Sequence, residues 1–144
     1  MARPAFSPPV TGWTAKATLL GNIFMVPSRD NVLNALKTQQ PNVWYYQFKW
    51  AQEPAPWNTI YGSAHAFDLP FIFGNFGPSL FSNAIASTAN KPGRLALSSA
   101  MMASIAAFAR NGDPNNAALG TTWQPWPARL NFDATATQAT ISTQ

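Results

Sequence analysis

One segment limits the possible folds of this chain more than any other: VWYYQFKW, at Val43–Trp50. Aromatic and β-branched residues of this kind favour a β-strand. Because strand side chains alternate, Trp44, Tyr46, Phe48 and Trp50 would share one wholly aromatic face, while the other face is half apolar. Strands covered on both faces are typical of α/β sheets rather than of solvent-washed hairpins. We therefore predict an α/β fold with Val43–Trp50 as a central strand.

Two helices are predicted, one before this strand in the sequence and one after it. Pro27 and Ser28 are a helix start signal, and Pro41 closes a helix near Ser28–Thr38. The second helix is predicted at Leu97–Arg110, where apolar residues recur at intervals of four and three. This stripe consists of Leu97, Met101, Ile105 and Phe108.

The end of the second helix, one further strand and the two termini complete the predicted structure. Asn111 and Gly112 supply a left-handed cap for the second helix, and a short strand is predicted at Arg129–Phe132. Residues 1–22 and 134–144 are expected to be irregular. We expect residues 1–144 to form a single partial domain.

The composition excludes several classes of function. Charged residues are only 10% of the chain, and its nine basic residues are dispersed, so the net charge of +4 forms no nucleic-acid footprint. No cysteine and one histidine leave no thiolate site and do not support a metal site. The longest apolar stretch, Ala100–Ala109, is too short to span a membrane.

A chain so poor in charge and rich in aromatic residues is expected to be covered in part by more protein. The sequence indicates no compartment.

The only histidine, His65, lies in the segment YGSAHAFDLPFIFGNF, at Tyr61–Phe76. Imidazole is the usual general base near neutral pH. The segment follows the predicted strand, and open α/β sheets place their chemistry in loops beyond the carboxyl ends of strands. A lone histidine beside apolar residues is, however, more often structural. Both interpretations stay open on these residues alone.

The groups that would complete a serine-based site are not evident. No two glycines four residues apart flank a serine, so the G-x-S-x-G elbow is absent, and Ser63 does not fit it. Only Asp30, Glu53 and Asp68 lie near enough in sequence to orient the imidazole. For Asp68, three residues after His65, we favour a local turn or helix-capping carboxylate over that role.

Several blocks, taken together, resemble the C-terminal part of the type-B carboxylesterases. These α/β-hydrolase serine esterases include the cholinesterases and bacterial para-nitrobenzyl esterases. The agreement in order and spacing runs from about Ile23 to Phe132. The blocks are VWYYQFKW, the His65 segment, LSSAMMASIAAFARNGDPN and the W-x-x-W-P motif at Trp123–Pro127.

The resemblance implies the C-terminal part of an α/β-hydrolase fold, a partial sheet with flanking helices. It implies that His65 is the triad histidine, with Ala66 where the family usually has glycine and Asp68 where it commonly has glutamate. The family's serine, triad acid and oxyanion-hole glycines lie upstream, in motifs that this chain lacks. Trp57, Phe67 and Phe71 could line an apolar substrate pocket, although ordinary core packing is preferred for Phe71 and Phe73.

The function implied is that of the C-terminal segment of a serine carboxylic-ester hydrolase, inactive alone. Its substrate would be a small-molecule ester, it would need no cofactor, and its partner would be a missing N-terminal portion or a complementing chain. Two alternatives stay open. The chain could be a stand-alone, non-catalytic remnant, or one half of a split esterase acting as an interaction module.

Overall fold

The computed structural model describes residues 15–79 and 82–144, without the side chain of residue 83. The chain divides into two compact units, Met1–Val43 and Trp44–Gln144. The expectation of irregular structure over residues 1–14 lies outside the described residues.

The first unit is helical throughout most of its described part. Helix α1 (Ala15–Leu20) runs through a π-helical segment (Gly21–Met25) into α2 (Val26–Lys37). The expectation of irregular structure up to residue 22 is therefore wrong from Ala15 onward. The predicted helix near Ser28–Thr38 is confirmed. It begins slightly earlier than predicted, at Val26, because the chain enters it directly from the π-helical segment and Met25 already has helical backbone angles.

The second unit contains a three-stranded mixed sheet in the order β1-β2-β3. Strand β1 (Tyr46–Phe48) pairs in parallel with β2 (Leu130–Phe132), and β2 pairs antiparallel with β3 (Ser142–Thr143). The predicted short strand at Arg129–Phe132 is thus confirmed. The central strand, however, is β2, so the prediction of a central Val43–Trp50 is wrong for the described sheet.

The reason lies in the tail, which was expected to be irregular. Ala134 forms a bridge with Ala139, which turns the chain back. The tail can then run beside β2 as β3 and give β2 its second neighbour. Strand β1 is left at an edge of the described sheet. The backbone ladder of β1 extends one residue beyond the strand, where the Lys49 N–H donates to the Phe132 carbonyl at 2.8 Å.

The aromatic face predicted for this strand is confirmed. Tyr46 packs edge-on against Phe132 with ring centroids 5.5 Å apart, and Phe48 and Trp50 each lie 5.0 Å from Phe71. Trp50 and Phe71 are fully buried. The face therefore forms one wall of the core.

Three short helices, α3 (Trp57–Ile60), α4 (Leu69–Ile72) and α5 (Ser82–Ile85), precede the long helix α6 (Lys91–Asn111). A 3₁₀ turn at Ala117–Leu119 follows it.

Helix α6 confirms the second predicted helix and extends it by six residues at its start. Pro92 lies in its first turn, and Gly112, at φ 72°, ends it by donating its N–H to the Phe108 carbonyl at 2.8 Å. Leu97 and Met101 are buried as predicted, but Phe108 is 47% exposed. The buried face includes small residues instead, which lets neighbouring segments approach closely. No helix in the described ranges is both long and apolar enough to cross a bilayer.

Candidate functional site

His65 lies at the second position of a tight turn. The Phe67 N–H donates to the Ala64 carbonyl at 3.2 Å, which closes a four-residue β-turn. Ala66, at the third position, has φ 67°. A positive φ there is the mark of a type II turn, which favours glycine at that position. The imidazole is exposed, and it makes no hydrogen bond to any residue that the structure describes.

A hydrogen bond on one side and a buried side chain on the other hold this turn to the rest of the second unit. The Ser63 hydroxyl donates to the Trp50 carbonyl at 2.9 Å, just beyond β1. On the other side, Phe67 is only 5% exposed. The turn therefore carries an exposed imidazole on a backbone that is anchored in the core.

Asp68 neither caps a helix with its side chain nor bonds to the imidazole of His65, the two roles weighed from the sequence. It occupies the N-cap position of α4, but its side chain makes no capping bond, so that interpretation is wrong for the carboxylate. Instead it accepts a hydrogen bond from the Tyr46 hydroxyl at 2.8 Å. Burial raises the pKa of Tyr46 well above its usual value, and the bond to the Asp68 carboxylate adds to this. The bond links β1 to the segment that carries His65.

The two residues expected to line a pocket are joined by a third aromatic residue. Trp57 stacks on Tyr61 with centroids 5.5 Å apart and planes 13° apart, and Tyr61 packs edge-on against Phe67 at 5.6 Å. Our sequence reasoning missed Tyr61, although the spacing of four from Trp57 was a usable signal. Phe71 is buried in the core as preferred, whereas Phe73 is 73% exposed, so core packing is wrong for it.

Glu53 is an unexpected buried acid between β1 and α3. It is 3% exposed, and neither carboxylate oxygen has a hydrogen-bond partner among the described residues. Burial raises the pKa of Glu53 to about 7. It is hydrogen-bonded neither to His65 nor to any other described side chain, so it does not orient the imidazole within this part of the chain.

The arrangement can accept a proton but holds no activated nucleophile in the described ranges. Ser63, the serine nearest to His65 in sequence, uses its hydroxyl proton in the bond to the Trp50 carbonyl. The described residues therefore supply a candidate general base, the imidazole, but no nucleophile for it to deprotonate.

Comparisons with known proteins agree on one family. The model of the carboxylesterase family matches residues 11–143. The carboxylesterase EST55 of Geobacillus stearothermophilus, in its structure at pH 6.8, is 28% identical with a TM-score of 0.51, over 71% of this chain and 20% of that chain. Its structure at pH 6.2 gives 26% identity and a TM-score of 0.50 over the same shares. A PNB esterase structure is 29% identical with a TM-score of 0.51, over 70% of this chain and 19% of that chain. A search of curated proteins finds no match. The chain thus spans about a fifth of the length of these solved enzymes.

Proposed function

Because this chain belongs to the carboxylesterase family and has part of an α/β-hydrolase fold, we propose that it is the C-terminal segment of a serine carboxylic-ester hydrolase. In this proposal His65 is the general base of the triad. The observation that carries it is the anchored turn, which presents an exposed imidazole in a segment whose sequence resembles the family's histidine block.

The proposed chemistry needs a serine from the rest of the enzyme. His65 takes the serine proton while the serine oxygen attacks the ester carbonyl, and the imidazolium then protonates the departing alcohol. Water next attacks the acyl-enzyme and gives a proton to His65, and the imidazolium returns that proton to the serine oxygen as the carboxylic acid leaves. The family's oxyanion hole would stabilise both tetrahedral intermediates.

The substrate is proposed to be a small-molecule ester with an apolar group. Trp57 and Tyr61 form a stacked pair next to Phe67, and Tyr61 is 47% exposed. Phe67 is nearly inaccessible, so it would support this surface from behind while Trp57 and Tyr61 contact the substrate. Asp68 would act on the segment through Tyr46 rather than on the imidazole.

The missing portion of the enzyme is proposed as the partner of this chain. Strand β1 lies at an edge of the described sheet, where its backbone can pair with a further strand. The described helices of the first unit have no buried residue, even though several of their side chains are large and apolar. Phe24 and Met25, for example, are 63% and 70% exposed. Both features favour covering by more protein.

Ester hydrolysis tests the proposal directly. The isolated chain should hydrolyse p-nitrophenyl esters no faster than free imidazole. Adding the N-terminal portion of a family esterase, in one chain or as a separate chain, should restore turnover. In the restored enzyme His65→Ala and His65→Asn should each lower kcat by about 10³-fold or more.

Asn58→Ala, an exposed change on α3, is the matched control and should leave kcat unchanged. If His65→Ala keeps most of the restored kcat, the triad assignment is wrong and His65 has a structural role. If neither form of the N-terminal portion restores turnover, the interpretation as a non-catalytic remnant is favoured. Turnover restored by a separate chain would favour the split esterase.

A further inference from the structure

An open cleft of about 450 Å³ lies at the N-terminal end of α6. Its volume is in the range of pockets that take small molecules. It contains neither His65 nor the aromatic residues proposed to contact the ester. The residues that matter for its chemistry are Phe76, Ser87, Thr88, Lys91, Arg94 and Leu95.

Arg94 is the unusual member of this lining. It is only 5% exposed, and its Nε and Nη1 atoms are buried without a hydrogen-bond acceptor among the described residues. Within those residues no carboxylate lies at ion-pair distance from it. Its guanidinium is held over the Phe76 ring, 4.5 Å from the centroid. Burying a charge without a counter-charge is costly, and this burial lowers the pKa of Arg94.

The rest of the cleft adds positive charge and no negative charge. Lys91 is exposed on the same lining, and none of the chain's five acidic residues belongs to it. The amides of the first turn of α6 are already used: the Lys91 N–H donates to Thr88 and the Gly93 N–H to Ala136. Recognition of an anion must therefore come from side chains rather than from free backbone amides.

The lining also has an apolar half. Phe76 and Leu95 offer carbon surface next to the two cations, and Leu95 is 44% exposed. A small inorganic anion would use only the charged half of such a cleft. A carboxylate attached to a hydrocarbon group would use both halves.

We propose that this cleft binds a small organic carboxylate with an apolar tail. The carboxylate lies against Lys91 and the part of Arg94 that lines the cleft, where both positive charges attract it and a hydrogen bond from a charged donor is stronger than a neutral one. The tail packs on Phe76 and Leu95. The proposal is independent of the esterase function, because no residue assigned to ester hydrolysis lines the cleft.

The test uses the full 144-residue chain and sodium hexanoate as the probe, at constant ionic strength. Nuclear magnetic resonance of the Arg94 Nε–H and the Lys91 amide should show saturable shifts. Arg94→Gln should weaken hexanoate binding about tenfold or more, since one charge-assisted interaction is lost. Arg110→Gln, which removes an exposed arginine from the last turn of the same helix, is the control and should leave the affinity unchanged.

Lys91→Gln provides a second test that does not touch the core, because Lys91 is exposed. It should weaken binding about threefold. The neutral analogue 1-hexanol and inorganic phosphate should each bind at least fivefold more weakly than hexanoate. The proposal is overturned if the wild-type chain shows no saturable shift, if both variants bind hexanoate as tightly as wild type, or if phosphate or hexanol matches hexanoate.

Discussion

At the scale of single residues, Ala66 and Glu53 each adopt a state that their residue type disfavours. Ala66 has a left-handed backbone next to the proposed base, and Glu53 is a carboxyl group buried without a hydrogen-bond partner in the described ranges. Neither cost is visible in the pattern of apolar residues. Each gives a measurable consequence for folding stability.

Ala66→Gly is expected to stabilise the chain by about 0.5–1 kcal/mol. A left-handed conformation costs an L-residue roughly 1–2 kcal/mol, and the greater freedom of glycine in the unfolded chain offsets part of the gain. The measurement is the free energy of unfolding in urea. The control is Ala96→Gly, at an exposed position inside α6, which should instead destabilise by about 1 kcal/mol. Equal destabilisation by the two changes would contradict a left-handed Ala66.

Glu53 should make stability fall as the pH rises. Its pKa is about 7 in the folded chain against an ordinary value of 4.5, so the folded state binds the proton more tightly. The stability that the protonated carboxyl contributes is complete below about pH 4.5 and is lost by about pH 7. Relative to wild type, Glu53→Gln should therefore gain stability across that window and level off above it. A difference in unfolding free energy that stays constant from pH 4 to pH 8 would rule this out.

At the scale of elements, two long-range contacts fix the candidate site and the long helix. Tyr46 on β1 binds Asp68 in the His65 segment. Gly93 on α6 contacts the chain after β2, where an added Cβ would lie 2.0 Å from the Thr135 carbonyl oxygen. Both contacts connect segments that are far apart in sequence.

A double-mutant cycle with Tyr46→Phe and Asp68→Ala should give a coupling free energy of about 1–2 kcal/mol. A hydroxyl donating to a carboxylate is stronger than a neutral pair, and half-burial limits screening by water. The control cycle pairs Tyr61→Phe with Asp68→Ala, because phenylalanine keeps the ring of Tyr61, and should show no coupling. A cycle without coupling at Tyr46 would mean that the hydrogen bond is not populated in solution.

Gly93→Ala should destabilise the chain by about 2–3 kcal/mol. The obstructing atoms belong to the backbone of Thr135 and Ala136, so α6 and that segment must separate. Gly112→Ala at the other end of α6 meets nothing within 4 Å and should cost only about 1 kcal/mol through its positive φ. Thermal unfolding followed by circular dichroism compares the two, and the order of their melting temperatures decides the matter.

At the scale of the whole molecule, apolar surface remains uncovered in each unit. Ile23, Phe24 and Met25 are more than half exposed in the first unit, and Phe73 and Phe108 are exposed in the second. Successive large apolar side chains that are exposed, as at Ile23, Phe24 and Met25, are typical of interaction surfaces.

We therefore expect the isolated chain to self-associate or to bind a hydrophobic dye strongly. Sedimentation velocity should show species larger than a 15.6 kDa monomer as the concentration rises. Adding the N-terminal portion of a family esterase should reduce both effects, because the same surfaces would be covered. A compact monomer that binds no dye would contradict the expectation.

The sequence by itself determined the features that follow from local physical rules. Alternation predicted the aromatic face of Val43–Trp50, and glycine's tolerance of a positive φ predicted the end of α6 at Gly112. The resemblance also placed His65 and Ala66 at the family's histidine and glycine positions. The role of His65 remains a prediction.

Only the tertiary structure decided which segments meet. Strand β2 is central because the tail folds back as β3. Asp68 accepts a hydrogen bond from Tyr46, 22 residues away in the sequence. Arg94 is buried over the ring of Phe76 without a counter-charge in the described chain. Alternation and helix period state which face of an element is apolar, but not which partner covers it. That choice depends on loop closure and on packing between distant segments, which no local pattern encodes.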